Sequence, residues 1–126
     1  MPLNEAFGWV WILAGFVSGL ALGLGFHRDE WLGGYASFRR RLIRLGHISF
    51  LGLGILNVLF AHTAPRLVLG SGSLALASGS LVLGGITMPT CCALMAWRRG
   101  FYQLFGIPVA SLVLGAALTV VGILRR

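Results

Sequence analysis

The sequence predicts an all-α integral membrane protein whose four transmembrane helices form an up-down bundle, with a short interfacial segment between helices 1 and 2. The first observation behind this prediction is composition: 57% of the 126 residues are hydrophobic, 10% are charged, and mean hydropathy is +0.89. Soluble domains carry about 25% charged residues. The second is a set of four apolar runs of about 20 residues, the length that crosses a bilayer. These observations predict a single transmembrane domain that comprises residues 1–126.

Residues that stop helices or carry charge separate the predicted spans. The spans cover about residues 7–26, 45–63, 74–97 and 101–124. Pro65 closes the second span, because the residue before a proline avoids the helical region. The Gly-Ser-Gly-Ser stretch at 70–73 forms the following loop, and residues 98–100 make a tight turn between the last two spans.

The segment at about 28–43 has a helical pattern of its own. Its apolar and aromatic residues recur at helical spacing beside a run of arginines: Trp31, Leu32, Tyr35, Phe38 and Leu42. This pattern is typical of a short helix lying in the membrane interface. The alternative is an irregular loop with interfacial aromatic residues.

The basic residues indicate both the environment and the orientation. All ten are arginine, at the edges of the apolar runs: Arg28, Arg39, Arg40, Arg41, Arg44, Arg66, Arg98, Arg99, Arg125 and Arg126. Seven lie in the first and third connections and three on the opposite side, so the positive-inside rule places these connections in the cytoplasm. We expect a bacterial inner-membrane protein with both termini on the periplasmic side. The net charge of +7 therefore indicates contact with anionic lipid, not with nucleic acid.

Two histidines lie at one predicted depth. His27 ends the first span and His47 begins the second, on the same cytoplasmic side. A bis-histidine b-type haem needs one imidazole on each face of its iron, and the nearby glycines Gly23 and Gly54 would leave space for it. The alternative is that both are interfacial residues whose polar edges face water or head groups. His62, at the other end of the second span, has no such partner.

Sulfur-containing residues cluster in the third span. Met88, Cys91 or Cys92, and Met95 follow the spacing of one helical face. Thiolate and thioether ligands select Cu(I), so these residues form a candidate copper site. The alternative is packing, since buried cysteine and methionine usually act as hydrophobic side chains.

Pro89 and Asn57 are the remaining unusual residues inside the spans. Pro89 frees the carbonyl of Gly85 and favours a kink. Such a kink opens a cavity beside the inner-leaflet histidines, either a quinone or haem pocket or a packing device. Asn57 is expected to bond to another helix.

Small residues recur at helical spacing in three spans, which allows close helix packing within the chain or against partners. The three sets are Gly15, Gly19 and Gly23; Ser71, Ala75 and Gly79; and Ser111, Gly115 and Thr119. No acidic residue lies within a predicted span, which argues against ion-coupled transport.

These observations favour a small accessory or structural subunit of a larger membrane complex, in an electron-transfer assembly. The expected partners are the lipid bilayer and other membrane subunits or further copies of the chain. Catalysis is not favoured, because no serine has histidine and carboxylate partners at one depth. Two other functions stay open, a b-type cytochrome using His27 and His47 and a Cu(I)-handling protein.

Overall fold

The computed structural model describes residues 1–126 and contains helices and no strands. The α-helices are Pro2–Phe26 (α1), Phe38–Thr63 (α2), Ser71–Trp97 (α3) and Gly106–Leu124 (α4). Three 3-10 segments connect them, at Trp31–Gly33, Ala64–Arg66 and Arg99–Phe105. The prediction of four helices is confirmed. With the adjoining 3-10 turns of α2 and α4, all four are long and apolar enough to cross a membrane.

Three helices begin earlier than the hydropathy pattern predicts, and α4 begins later. α1 begins at Pro2, not at about residue 7, which brings Asn4 and Glu5 into its first turn. α2 begins at Phe38, not at about residue 45, because the hydroxyl of Ser37 accepts a hydrogen bond from the Arg40 N–H and caps the helix. α3 begins at Ser71, not at about residue 74, so residues 71–73 belong to the helix and not to the predicted loop. Hydropathy marks only the apolar part of a helix, so it missed the polar first turns of these helices. In place of the tight turn predicted at residues 98–100, a 3-10 segment extends from Arg99 to Phe105, and α4 begins after it.

The connection between α1 and α2 is a turn. Leu32, Gly33 and Gly34 have φ values of 55°, 86° and 96°, and a right-handed helix cannot continue through such residues. The interfacial helix expected at about 28–43 is therefore not a separate element: its first part is this turn, and its second part belongs to α2.

Each helix packs against its neighbours in the chain, and α1 also touches α3, but α1 and α4 are not packing partners. Four helices closed into a ring would need that fourth contact. The helices instead form an open row. The inner helix α3 has 44% of its apolar stretch buried inside the protein, whereas α1 and α4, at the ends of the row, have 11% and 17%.

Glycines set the closest helix contacts. A Cβ on Gly8 would lie 2.6 Å from the Gly54 carbonyl oxygen, and one on Gly54 would lie 2.8 Å from the Gly8 oxygen. The backbones of α1 and α2 therefore meet directly at this point, which only glycine permits. Gly115 of α4 similarly receives Leu81 of α3.

A buried polar cluster joins α1, α2 and α3. The Asn4 amide donates to Oδ1 of Asn57 at 2.8 Å, and the Ser78 hydroxyl donates to Oδ1 of Asn4. Asn57 also donates to the Leu53 carbonyl at 2.9 Å. Asn4 and Asn57 are fully buried, so these bonds replace the water that each amide loses. The structure thus gives Asn57 the interhelical bond that the sequence led us to expect.

Contacts between connections define the two ends of the molecule. At one end Arg39 donates to the Ala96 carbonyl at 3.0 Å, and the Arg99 guanidinium lies 4.2 Å from the ring centroid of Phe38. At the other end Arg126 donates to the Arg66 carbonyl at 3.0 Å. The first and third connections therefore share one end, and the second connection lies beside the C-terminus.

Candidate functional site

A cavity of about 220 Å³ lies between α1, α2 and α3. Three helices contribute its walls: Ser18, Ala21, Leu22, Leu42, Ile43, Gly46, His47, Phe50, Pro89 and Ala93. The walls are apolar apart from the side chains of Ser18 and His47. The sequence predicted a cavity beside Pro89 and the histidines His27 and His47. The structure has a cavity beside Pro89, and His47 is the one histidine that lines it.

His47 is held in place by α1. Its Nδ1 lies 2.9 Å from the Ser18 hydroxyl, and its ring packs over Gly19, where an added Cβ would lie 2.8 Å from Cε1. Gly19 therefore provides the space that the imidazole occupies. The Ser18 hydroxyl also lies 3.0 Å from the Gly15 carbonyl oxygen, so its single proton has two alternative acceptors.

These two alternatives determine whether Nε2, the other ring nitrogen of His47, is a hydrogen-bond donor or acceptor. If Ser18 donates to Gly15, its oxygen accepts the Nδ1–H of His47, and Nε2 is an acceptor. If Ser18 donates to Nδ1, the proton of the imidazole lies on Nε2, which becomes a donor. The Ser18 contact is the only hydrogen bond that the His47 ring makes in the chain, so Nε2 is open to an outside partner of either kind.

Pro89 shapes one wall, and α1 compensates for the bond that Pro89 removes. Proline has no N–H to give to the carbonyl four residues earlier, and here the Trp11 indole N–H donates to that Gly85 oxygen at 2.8 Å. The Trp11 ring in turn lies 5.6 Å from the ring of Phe50, a cavity residue. The hydroxyls of Thr87 and Thr90 bond within α3.

The structure does not bring His27 to His47. His27 is exposed at the end of α1, eight residues beyond Gly19, which is about 12 Å along a helix axis. Two axial ligands must face each other across one iron atom. His62 is exposed at the other end of α2. The haem pair stays a sequence prediction without a geometric counterpart here.

The structure places three of the four candidate copper residues in different surroundings. Cys91 faces the segment after α3, with its sulfur 3.5 Å from the Leu104 carbonyl oxygen. Cys92 faces α2, where its Cβ lies 3.3 Å from the position of a Cβ added to Gly46. Met95 lines a separate surface pocket with Arg39 and Trp97. No group of three or more histidine, cysteine, aspartate or glutamate side chains is arranged to hold a metal ion. Both cysteines are buried.

Sequence reasoning missed the role of Arg40. This residue, 3% exposed, donates to the Phe26 carbonyl at 3.2 Å, and its Nε has no hydrogen-bond partner. Its guanidinium carbon lies 4.9 to 5.8 Å from the ring centroids of Phe26, Tyr35 and Trp31. Such contacts attract a cation to aromatic faces. Arg40 thus holds the first connection together.

Sequence reasoning also missed Ser18 and Asn4. Nothing in the sequence marks Ser18, since its role as partner of His47 depends on which face of α1 meets α2. A signal for Asn4 existed: Asn4 and Asn57 are the only asparagines in the chain, and a polar side chain in an apolar helix needs a partner.

No protein family, curated protein or solved structure matches the chain. Its functional interpretation therefore depends on its own residues.

Proposed function

We propose that the chain is a small transmembrane subunit of a larger membrane assembly that serves electron transfer. The main supporting observation is that two of its three small-residue faces are packed within the chain and the third is exposed. Gly15 and Gly19 pack against α2, and Gly115 packs against α3, but Ser71, Ala75 and Gly79 are exposed on α3. A face of small residues allows another helix to approach closely.

The open row of helices supports a partner at this face. α3 is the most buried helix of the four, yet a Cβ added at Gly79 meets nothing within 4 Å. Lipid or a partner helix covers this part of α3 in a membrane. A partner helix gains more from the small residues, because van der Waals packing is what drives helix association in lipid.

The electron-transfer class is supported by the cavity beside His47. Polar side chains within membrane spans usually mark ligand or proton sites, and this imidazole has one free nitrogen in an apolar cavity. The arginine-rich end supports an up-down arrangement with the first and third connections in the cytoplasm. By contrast, the side chains of Asn4, Asn57 and Ser78 bond to one another.

Assembly is tested by extracting the tagged chain from its own membrane in mild detergent. We expect a complex of defined mass that contains other polypeptides besides this 13.5 kDa chain. The complex should show the visible absorption of a redox cofactor. Gly79→Leu should release the chain from it. Gly52→Leu is the matched control, since Gly52 is also an exposed helical glycine with nothing within 4 Å of an added Cβ.

Both substitutions raise helix propensity by up to about 1 kcal/mol, so neither should unfold the chain. Extraction of a monomer or a homo-oligomer alone would overturn the proposal. Equal retention of the Gly79→Leu and Gly52→Leu variants would show that the α3 face is not the contact.

A further inference from the structure

The geometry points to a quinone as the ligand of the cavity beside His47, with its ring between α1, α2 and α3 and one carbonyl oxygen hydrogen-bonded to His47 Nε2. This inference rests on the proposed electron-transfer role, because it names the lipid-soluble carrier that the assembly would use. It concerns binding alone.

The position and size of the cavity suit an apolar ligand about as large as one substituted ring. It lies among helices long and apolar enough to span a membrane, and Ala21 and Ala93 at its rim are exposed to the outside of the bundle. A ligand therefore enters from the lipid. The volume, about 220 Å³, exceeds the roughly 150 Å³ of a dry engineered cavity that accepts benzene.

The polar pair then selects the ligand's oxygen. Nε2 is a donor in one arrangement of the Ser18–His47 pair and an acceptor in the other, and the change needs only a rotation of the Ser18 hydroxyl and a shift of the imidazole proton. A quinone carbonyl needs a donor, whereas the hydroxyl of the reduced quinol needs an acceptor. One site can therefore bind both forms of this carrier.

A lipid acyl chain is the competing occupant. It would fill the apolar part of the cavity but leave Nε2 without a hydrogen bond in apolar surroundings, which is unfavourable for a polar group. The cavity wall also includes the Phe50 ring, and aromatic rings favour offset or edge-to-face contact with another ring. These features favour a ring that carries an oxygen over a plain chain.

The test uses the purified full-length chain in detergent and a short-tailed benzoquinone as the probe. Trp11 lies against Phe50, so bound quinone should quench tryptophan fluorescence in a saturable way. An azido derivative of the same quinone should label the peptides that contain residues 42–50 and 89–93. An alcohol with the same tail and no ring is the ligand control.

His47→Phe keeps an aromatic ring over Gly19 and removes the nitrogen, and Ser18 keeps its bond to the Gly15 carbonyl. We expect about tenfold weaker binding, equivalent to about 1.4 kcal/mol. His62→Phe is the matched control, the same change at an exposed site on the same helix, and should bind as the wild type does. Ala93→Phe should block the cavity without touching the polar pair.

Equal affinity of the His47→Phe and His62→Phe variants, labelling outside the cavity peptides, or equal competition by the ringless alcohol would each overturn the inference. Failure of binding is distinguishable from failure of assembly. Gly79 does not line the cavity, so the Gly79→Leu chain should lose its partners and still bind the quinone.

Discussion

Arg40 shows how one charged residue organises the end of a helix. Its neighbours Arg39 and Arg41 are exposed, whereas Arg40 is buried. Burial of a cation is costly unless it is paired and hydrogen-bonded. Here backbone carbonyls and three aromatic faces take the place of a carboxylate. The planar guanidinium suits this site because it bonds at its edge and stacks on its faces.

Replacement of Arg40 by lysine should therefore loosen the first connection although it keeps the charge. An ammonium group cannot bond to the Phe26 carbonyl and stack on several rings at once. We expect a loss of about 1–2 kcal/mol and faster chymotrypsin cleavage at Trp31 and Tyr35, measured in detergent. Arg41→Lys, the same change at the exposed neighbouring position, should cleave at the wild-type rate. Equal rates for the two variants would show that Arg40 acts only as a charge.

At the scale of the element, α1 and α3 are coupled at Pro89, a proline inside α3. The Trp11 indole supplies the donor that Pro89 cannot give to Gly85. The sequence indicated that the Gly85 carbonyl needed a partner, and the structure identifies the partner as a neighbouring helix. The cavity wall at Pro89 therefore depends on a residue of α1 that does not line it.

A double-mutant cycle tests this coupling. Trp11→Phe leaves the Gly85 carbonyl without a partner and should destabilise the chain by about 2 kcal/mol. The same change in a Pro89→Ala background should cost clearly less, because an alanine at this position restores the helical N–H donor. Unfolding free energies from SDS titration give both values. Trp9→Phe, at a tryptophan that is 59% exposed, is the control, and additive effects of Trp11→Phe and Pro89→Ala would exclude the coupling.

The elements differ in how far the sequence predicts them. The four helices follow from apolar length, which is a property of each segment alone. The start of α2 at Phe38 depends on one cap at Ser37, and the turn at Leu32 depends on backbone angles that no hydropathy pattern records. Residues on a single helix, such as Cys91 and Cys92, look clustered in sequence but face different neighbours.

The candidate site could be predicted from the sequence only where the type of a residue indicates what must surround it. Pro89 indicates a missing bond, so a cavity at its level could be expected. The pairing of His47 with Ser18, and not with His27, depends on the register between α1 and α2. That register is set by the approach of Gly8 and Gly54, a contact between residues 46 positions apart, for which local patterns contain no information.

For the whole molecule, the distribution of arginines gives the remaining prediction. Contacts of Arg39 with Ala96 and of Arg99 with Phe38 gather the seven arginines of the first and third connections at one end. The opposite end has Arg66, Arg125 and Arg126. Because translocation of arginine across the inner membrane is disfavoured, the richer end should stay in the cytoplasm and both termini should face the periplasm.

Reporter fusions in a bacterial host measure this orientation. Alkaline phosphatase fused after Arg126 should be active, since it folds only outside the cytoplasm, and green fluorescent protein at the same site should be dark. Fusions after Gly100, in the third connection, should give the opposite pair of results. The Gly100 fusions are the internal control for expression. Active phosphatase at Gly100 with inactive phosphatase at Arg126 would reverse the topology and place the cavity beside His47 in the outer half of the membrane.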